Sequence, residues 1–544
     1  MKKPNLVDRL RLRSTDLLGN WRLFRLTSQV AGHSRPLPGQ KPVAFFNAST
    51  RLNGVSLNAA FSYLVACGVQ LENVPVVYFA CRAGMSRCVL GTDRDNVEKP
   101  PPCAGCITQS ENLFSHAPVV WFDYSRDEHI ASGLANHTLA ELIDFQIDLP
   151  DARGDSRVIP LGQLVLPSIR WALRLNHLRD DLPTRLLYKE YILSAWSIAK
   201  EFQAFLDNVD PMVVVVFNGI LYPEAIARWV AVQRGIRVVT HEVGFQPFSG
   251  FYSDREATAY PIDIPDEFEL TPERNSELET ILEKRFEGKF TMAGIRFWPE
   301  MVGLGADFEQ RAASFRQVVP VFTNVVYDTS QVHANTVFPH MFAWLNLILE
   351  IIRGHPETLF VIRAHPDELR PGKESRESVP MWVKQKQVDR LPNTIFVDPN
   401  EYLSSYELIQ RSKFVMVYNS SIGLEAAVIG KAVLCGGKAR YTAYPTVYFP
   451  RSPEQYRQMA EEFLDNPGDI EIPAEFVRNA RRFMYYQFFK SSLRFDEFLE
   501  AHRRPGYVLL RPISWRSLTR ERSRTMSVLL DGILHGEPFL LSKG

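Results

Sequence analysis

A histidine in the second half of the chain stands where a phosphate could be bound. His365 directly follows an apolar run, residues 359–364, and Pro366 fixes the turn after it. An imidazole there can donate a hydrogen bond to a phosphate oxygen or give a proton to a leaving phosphate. Arg363, Arg370 and Lys373 lie close by and offer charge-assisted contacts to an anionic ligand.

A serine pair provides a second group of this kind. Ser420 and Ser421 separate a predicted strand, 414–418, from a predicted helix, 422–429. A serine at this point can cap the helix, and its hydroxyl, the first backbone N–H groups and the helix dipole together favour an anion. Gly423 would let a ligand approach closely, and Glu425 could accept hydrogen bonds from ribose hydroxyls. The alternative interpretation is an ordinary N-cap followed by a first-turn carboxylate.

A third polar group follows the first strand of the second half. Asn324 and Asp328 come just after residues 318–323 and are candidates for contact with a donor or an acceptor, although polar strand ends are common. These three groups matter together because ligands of open α/β sheets bind beyond the carboxyl ends of the strands.

Alternating strand and helix patterns run through both halves of the chain. Short apolar runs followed by helical patterns predict parallel strands with helices on both faces. The predicted strands are 43–47, 76–80, 212–217 and 236–240 in the first half, and 318–323, 359–364, 394–397, 414–418 and 432–435 in the second. The predicted fold class is therefore α/β, with two facing Rossmann-type doubly wound domains and a cleft between them.

The predicted organisation has five segments. They are a basic N-terminal extension (1–37), a Rossmann-like domain with a cysteine-rich loop at 81–106 (38–270), an interdomain crossing (271–312), a second Rossmann-like domain (313–470) and a helical, basic tail (471–544). We expect the tail to form solvated helices that close the second domain. The extension interleaves arginines with leucines, which fits either a helix packed on the domain edge or a basic amphipathic helix on an anionic membrane.

Composition excludes several classes of protein. The 544 residues are 45% hydrophobic, and 62 Lys and Arg balance 62 Asp and Glu, so no global field attracts nucleic acid. No uninterrupted apolar run reaches the length of a membrane-spanning helix or of a secretory signal. The predicted compartment is the cytoplasm, with peripheral association at the inner face of the cytoplasmic membrane as the alternative.

Four cysteines in the first half form a separate group. Cys81, Cys88, Cys103 and Cys106 follow a C-x6-C-x14-C-x2-C pattern, with three prolines before the last pair. Four thiolates suit a structural zinc ion, or less readily an iron–sulfur cluster. The alternative is four thiols packed within a loop. In either case the group would brace the cleft rather than perform chemistry.

The motifs of the second half resemble a known family. The strings 362–366 (IRAHP), 419–426 (NSSIGLEA) and 430–434 (GKAVL) look like the C-terminal domain of the capsule polysaccharide biosynthesis family, which includes Kdo transferases and is similar to bacterial sialyl- and polysialyltransferases. The resemblance implies a GT-B-like glycosyltransferase whose His365, Ser420 and Ser421 bind the phosphate of a nucleotide sugar, with a CMP-linked acidic sugar as the expected donor. It implies that 38–270 is the acceptor-side domain and that 313–470 is the nucleotide-sugar-binding domain. It implies an oligosaccharide or lipid-linked acceptor, a polysaccharide export or assembly complex as a partner, and no metal or other cofactor for catalysis.

Inverting enzymes of this type need a general base that faces the donor from the other domain. In the sialyltransferase-like relatives this is an acidic residue before a glycine, and Glu242, in the string 240–245 (THEVGF), fits that pattern. Glu242 is the predicted base, and His241 is its alternative or helper. The turn at Asn218, with Glu224 on the next helix, is a second candidate wall of the cleft.

Other functions remain open at this point. A sugar-nucleotide epimerase or an alditol-phosphate transferase could use the same two-domain cleft, and a non-catalytic scaffold of polysaccharide assembly could keep the fold. Products distinguish them, because an epimerase needs no acceptor and a phosphotransferase leaves a phosphodiester.

Overall fold

Two parallel β-sheets, each covered by helices on both faces, form the framework of the protein. The computed structural model describes residues 6–48, 54–150, 154, 156–286, 301–370 and 372–542. Residues 1–5 of the predicted extension, 287–300 of the predicted crossing and 543–544 of the predicted tail lie outside the described residues. The predicted fold class is confirmed.

The first half contains a mixed sheet that is parallel over most of its width. In chain order its elements are α1 (Leu6–His33), β1 (Val43–Asn47), α2 (Leu57–Leu71), β2 (Val76–Cys81), α3 (Cys103–Phe114), β3 (Val119–Phe122), α4 (Glu128–Leu134), α5 (Leu139–Ile143), β4 (Ile147–Pro150), β5 (Ser156–Ile159), α6 (Leu161–Leu173), α7 (Leu182–Val209), β6 (Val213–Phe217), α8 (Glu224–Gln233), β7 (Arg237–Val243) and β8 (Ser249–Ser253). Strands β7, β6, β1, β2 and β3 are parallel neighbours in that order, and β8 pairs antiparallel with β7. β4 and β5 form a separate hairpin.

The apolar runs of the central strands explain why this sheet is buried on both faces. In β6, Val214 and Val216 enter the core beneath α7, and Val213 and Val215 enter the core beneath α2. Successive side chains of a strand point to opposite faces, so a continuous run of valines can fill both cores. β-Branched side chains also favour the extended backbone.

The second half contains a fully parallel sheet in the order β11-β10-β9-β12-β13. Its elements are α9 (Pro272–Phe286), α10 (Ala306–Ala312), β9 (Gln317–Phe322), α11 (Met341–Gly354), β10 (Thr358–Arg363), α12 (Val379–Lys386), β11 (Thr394–Val397), α13 (Ser405–Arg411), β12 (Val415–Val417), α14 (Ile422–Val428), β13 (Val433–Cys435) and α15 (Pro453–Asp465). Here too successive residues of a strand point to opposite faces of the sheet, since Val318 and Val319 enter different cores. Proline opens α15 after its N-cap Ser452, whose side chain accepts from the backbone N–H of Gln455.

The predicted crossing at 271–312 contains helix α9, which packs into the second half. Leu278 and Leu282 of α9 are buried in a core that belongs to the second sheet. The same core takes in Phe245 and Phe251, which come from the end of the first half. The two halves therefore share an apolar joint at this point, and α9 is part of it.

The predicted tail is corrected by the structure. Its elements are α16 (Ala474–Tyr485), β14 (Leu493–Arg494), β15 (Leu499–Ala501), β16 (Val508–Leu510) and α17 (Arg524–His535). Only α16 closes the second domain, where it packs on α14 and α9. After a π-helical turn the chain returns to the first half, where β14 joins the first sheet beside β8 and α17 packs on α2. Buried apolar residues such as Phe495 and Leu530 drive this return.

Within the described ranges, no helix combines the length and the hydropathy that crossing a membrane requires.

Candidate active site

A cavity of about 700 Å³ lies between the two halves, at the carboxyl ends of their parallel strands. Its walls include the ends of β1, β6 and β7 on one side and the segments that follow β9, β10, β12 and β13 on the other. The predicted residues that line it are Glu242, Asn324, Arg363, His365, Lys373, Ser420, Ser421 and Glu425, together with Asn218, Glu224 and Asp328. The fold thus brings together residues that are far apart in the sequence. His241 and Gly423 are not among the lining residues.

Glu242 is a half-buried carboxyl group in the first-domain wall of the cleft. It lies within β7, opposite Phe251 of β8, because the strand continues past the predicted end at Thr240. Its Oε1 accepts from the backbone N–H of Val243 at 2.8 Å, and its Oε2 accepts from the Asn218 amide at 2.9 Å. Burial raises the pKa of Glu242, and these two hydrogen bonds oppose the rise. The carboxylate form is therefore supported in a poorly solvated place, as a general base requires.

Asn218 is held in place to make this contact. Its backbone has a positive φ of 64°, a conformation that asparagine tolerates better than most residues. The Asn218 side-chain oxygen accepts from the backbone N–H groups of Ile220 and Leu221, each at 3.1 Å. With its oxygen fixed in this way, the amide nitrogen points to Glu242.

Glu224, at the start of α8, is a second carboxyl group in the same wall. It is buried, and burial raises its pKa to about 8, opposed only by its own backbone N–H. At neutral pH it is therefore mostly protonated, which makes it a poorer base than Glu242 and a potential hydrogen-bond donor.

The prediction of His241 as an alternative base is wrong. It is the strand neighbour of Glu242, so its side chain points to the opposite face of the sheet. There it is buried and stacks on Tyr252 with ring centroids 5.3 Å apart. Burial lowers its pKa to about 3, so the ring is neutral and belongs to the core.

His365 lies directly after β10, as the sequence predicts, and lines the cleft. Its Nδ1 accepts from the backbone N–H of Asp367 at 3.2 Å. Burial lowers the pKa of His365, so the ring is neutral at physiological pH. Because Nδ1 is an acceptor, the proton of the neutral ring is on Nε2, where it can be donated to a ligand oxygen.

Ser420 and Ser421 line the cleft before α14, but neither side chain caps the helix. Ser421 is the N-cap residue and its hydroxyl makes no capping hydrogen bond. The backbone N–H groups of Gly423, Leu424 and Glu425 donate to the carbonyls of the two serines. α14 has seven residues, so its dipole is small. Anion binding at this turn therefore depends on the two hydroxyl groups.

Gly423 has a different role from the one predicted. A Cβ at this position would collide with the hydroxyl group of Tyr441 and would lie 3.0 Å from a methyl group of Val417. The Tyr441 hydroxyl donates to the carbonyl oxygen of Ser420 at 2.8 Å. The glycine makes room for a tyrosine that holds the serine turn, rather than for the ligand itself.

Glu425 is engaged by the protein itself. Its Oε1 accepts from Arg285 at 2.5 Å, and its Oε2 accepts from the hydroxyl of Tyr406. Both members of the ion pair are buried side chains. Although burial opposes its charge, Arg285 has a raised pKa because of Glu425 and Tyr406. Glu425 therefore anchors an arginine in the cleft wall, and a contact with ribose stays a prediction.

The remaining predicted donor residues are bound into the walls in different ways. The Asn324 amide donates to Asn419 at 2.7 Å. Arg363 is buried, donates to the carbonyl oxygen of Leu403 and has a pKa that burial lowers to about 10. The Lys373 carbonyl accepts from the Tyr327 hydroxyl, which fixes the loop that carries its ammonium group beside the cleft.

Two further cations in the wall were not predicted from the sequence. Lys438 and Arg440 follow β13 and line the cavity. Arg440 donates to Gln487 at 2.6 Å and lies 4.4 Å from the ring centroid of Phe245. The sequence does contain a signal for these two cations, because Gly436 and Gly437 end the strand and two basic residues follow. It is the same pattern that identified His365 after β10.

The sequence predicts either a structural zinc ion or packed thiols at the four cysteines of the first half. Burial raises the pKa of Cys81, Cys88 and Cys103, and neighbouring thiols of the group add to each rise. The thiols therefore lie near one another, and Cys81, Cys88 and Cys103 are free thiols. In the part of the chain that the structure describes, no three histidine, cysteine or acidic side chains are arranged to hold a metal ion. The geometry thus gives the predicted zinc site no support, and it stays a prediction that metal analysis would test.

Comparison with known proteins agrees with the resemblance of the second half. Residues 300–457 match the family described as capsule polysaccharide biosynthesis protein, which confirms the resemblance over that segment. The match covers β9 to β13 with both the histidine and the serine motif. No curated protein matches the chain.

Solved structures match at low sequence identity. The β-Kdo 2,4-transferase KpsC of Thermosulfurimonas dismutans is 13% identical, covers 50% of this chain and 79% of its own, and has a TM-score of 0.34. The trehalose 6-phosphate synthase of Burkholderia multivorans is 10% identical over 82% of this chain and 95% of its own, with a TM-score of 0.32. The UDP-GlcNAc 2-epimerase of Neisseria meningitidis, bound to UDP-GlcNAc, is 14% identical over 82% and 98%, with a TM-score of 0.26.

Proposed function

We propose that the protein is a glycosyltransferase that moves a sugar from a nucleotide-sugar donor to a surface polysaccharide. One observation carries the proposal. The cavity between the two sheets is lined by Glu242 on one side and by His365, Ser420 and Ser421 on the other. A base that faces a phosphate site across a cleft is the arrangement that glycosyl transfer needs.

The second-domain wall would hold the donor. Nε2 of His365 and the hydroxyls of Ser420 and Ser421 would donate to the phosphate oxygens, and Lys373 and Lys438 would add positive charge. These groups would balance the negative charge that develops on the leaving phosphate, so catalysis without a metal is part of the proposal. The narrower form of the proposal is a CMP-linked acidic sugar. Arg440 adds a further cation to the same wall, which suits the acidic group of such a sugar.

The first-domain wall would activate the acceptor. The acceptor hydroxyl loses its proton to Glu242 while its oxygen attacks the anomeric carbon and the bond to the leaving phosphate breaks. Attack from the side opposite the phosphate inverts the anomeric centre. The raised pKa of Glu242 brings its basicity closer to what this proton transfer requires.

The family match suggests the biological setting. Because residues 300–457 match a family of capsule polysaccharide biosynthesis proteins, we propose a growing capsule or another surface polysaccharide as the product. The acceptor would be an oligosaccharide or a lipid-linked chain, and an export or assembly complex would be a partner.

A binding measurement tests the donor side. We expect one family among CMP, CDP, UDP, GDP and their sugar conjugates to raise the thermal midpoint of the protein at saturating concentration. The His365→Ala variant should lose this shift. If none of the nucleotides stabilises the wild-type protein, the proposal fails and the scaffold alternative gains.

A pair of matched variants tests the acceptor side. Glu242→Gln should keep the donor-induced thermal shift and lose transfer by at least about 100-fold, as expected for the loss of a general base. Glu224→Gln, in the same wall, should retain most of the activity because Glu224 is already mostly protonated. Near-normal transfer by Glu242→Gln would contradict the assignment. Conversion of the nucleotide sugar without any acceptor would instead identify an epimerase.

A further inference from the structure

Helix α1 has apolar residues on two opposite sides. On the inner side Leu23, Leu26 and Val30 are buried against the first-domain core, and α1 contacts α2, α3 and β16. The outer side presents four large apolar side chains to solvent: Leu10 is 60% exposed, Leu17 65%, Trp21 54% and Phe24 70%. At about 100° per residue, these four side chains fall within an arc of about 60°.

Four large apolar side chains in one row are unusual on the surface of a soluble protein. Single exposed apolar residues are common on soluble proteins, but a contiguous row of leucine, tryptophan and phenylalanine indicates a binding surface. The inner side already anchors the helix, so folding of this chain does not account for the outer one. We call the row of Leu10, Leu17, Trp21 and Phe24 the outer stripe of α1.

Positive charge flanks the outer stripe on both sides. Arg9 and Arg13 lie along one edge and Arg25 along the other, and all three are exposed. The Arg25 guanidinium lies 5.6 Å from the centre of the Trp21 ring.

The acidic residues of the helix do not offset this charge. Asp8 and Asp16 lie at least about 100° from the centre of the outer stripe. Asp16 is paired with His502 at 3.1 Å and with Arg504 at 3.8 Å. The outer side is thus basic although the protein as a whole is balanced at 62 charges of each sign.

The C-terminal segment packs against other sides of the same helix, because Asp16 and His33 lie about 110° and about 150° from the centre of the outer stripe. Arg504 reaches α1 through Asp16. Trp515 stacks on His33 at 4.0 Å, and the Arg516 guanidinium lies 5.6 Å from the Trp515 ring. The partner that fits the outer stripe and its flanking arginines has an apolar interior and an anionic surface. A bilayer with anionic phospholipids has both properties.

We propose that the outer stripe of α1 binds the surface of an anionic phospholipid bilayer. The helix lies in the plane of the headgroups, with Leu10, Leu17 and Phe24 buried at the acyl boundary. Trp21 occupies the interfacial layer that indole rings favour. The flanking arginines contact lipid phosphates. This inference does not depend on the function of the cleft.

Vesicle sedimentation of the full-length protein tests the proposal. We expect binding to vesicles that mix phosphatidylglycerol with phosphatidylcholine, weak binding to pure phosphatidylcholine, and weaker binding at high salt because screening reduces the attraction. The double variant Leu17→Glu/Phe24→Glu should lower the partition coefficient at least about tenfold. Leu182→Glu, at an equally exposed leucine at the start of α7, should bind as the wild type does.

Several outcomes would overturn the proposal. They are no binding of the wild type to the phosphatidylglycerol vesicles, equal binding to neutral vesicles, or unchanged binding of the double variant. Sedimentation velocity provides a further check. If the wild type is a dimer that Leu17→Glu/Phe24→Glu dissociates, the outer stripe is an interface between two copies of the chain. Unchanged circular dichroism of the variants confirms that they are folded.

Discussion

At the scale of single residues, hydrogen bonding distinguishes the two carboxyl groups of the cleft wall. Glu242 accepts from two N–H donors of other residues, and Glu224 has none beyond its own backbone. Burial raises the pKa of both groups. The donors at Glu242 favour its charged form and thereby limit the rise. The environment of each carboxyl group therefore decides which of the two can act as a base.

The pH dependence of transfer should follow the contact between Asn218 and Glu242. A base must be deprotonated, so activity should rise with pH through the raised pKa of Glu242 and be lost below it. Asn218→Asp removes the amide donor and places a second negative charge beside Glu242, which raises its pKa further. The acidic limb of the kcat/KM profile should move to higher pH. An unmoved limb would show that another group controls it.

The buried ion pair of Arg285 and Glu425 gives a stability prediction. Glu425→Gln leaves the Arg285 cation buried without its counter-charge, which should lower the free energy of unfolding by about 3 kcal/mol. Denaturant titration measures this loss. The exposed pair of Arg478 and Glu269 is the control, and Glu269→Gln should change stability little. Equal effects of the two variants would contradict the prediction.

At the scale of elements, the turn before α14 depends on a close packing contact. Gly423 lies against the Tyr441 hydroxyl, and that hydroxyl holds the carbonyl oxygen of Ser420. The Tyr441 hydroxyl therefore holds in place the backbone of the turn that carries the two serines before a ligand arrives. A preorganised turn of this kind lowers the cost of rearrangement when an anion binds.

A substitution at Gly423 should therefore weaken donor binding although it favours the helix. Alanine has a higher helix propensity than glycine by about 1 kcal/mol, but its Cβ would displace Tyr441 and the serine turn. We expect Gly423→Ala to reduce donor affinity at least about tenfold by calorimetry. The double variant Gly423→Ala/Tyr441→Phe should recover part of the loss, because it removes the colliding oxygen. Wild-type affinity of Gly423→Ala would refute this account.

At the scale of the whole molecule, the chain crosses between the two halves twice. It enters the second half through α9 and returns after α16 to add β14 and α17 to the first. Leu529 and Leu530 of α17 are fully buried in the first-domain core. The first domain is therefore incomplete without α17, and it is built from two separate stretches of the chain.

This topology predicts where a C-terminal substitution acts. Leu530→Ala should lower the free energy of unfolding by about 2–5 kcal/mol, because it leaves a cavity between α17 and α2. Hydrogen exchange should show the loss of protection in β1, α2 and β6, which are distant in sequence. The control is Leu464→Ala in α15, a fully buried leucine whose replacement should loosen the second sheet instead. Loss of protection confined to the second sheet in both variants would contradict the topology.

The sequence by itself determined the central strands of both sheets and the polar residues that follow them. Continuous apolar runs such as Val213–Phe217 can only be satisfied by burial on both faces, so they identify central parallel strands. Polar residues directly after such strands, His365 and the serine pair among them, then fall at the carboxyl edge, where ligands bind. These inferences hold because they depend on local pattern alone.

Only the tertiary structure decided the features that depend on contacts between distant segments. β14 has two residues and no periodicity to reveal it, so its return to the first sheet was not predictable. Strand β7 continues beyond its predicted end at Thr240, so His241 faces the core and Glu242 faces the cleft. Glu425 forms an ion pair with Arg285, which lies 140 residues away in the sequence. The exposed stripe of α1 became visible only when the opposite side of the helix was seen to be packed, since a sequence shows which residues are apolar but not which of them find a partner.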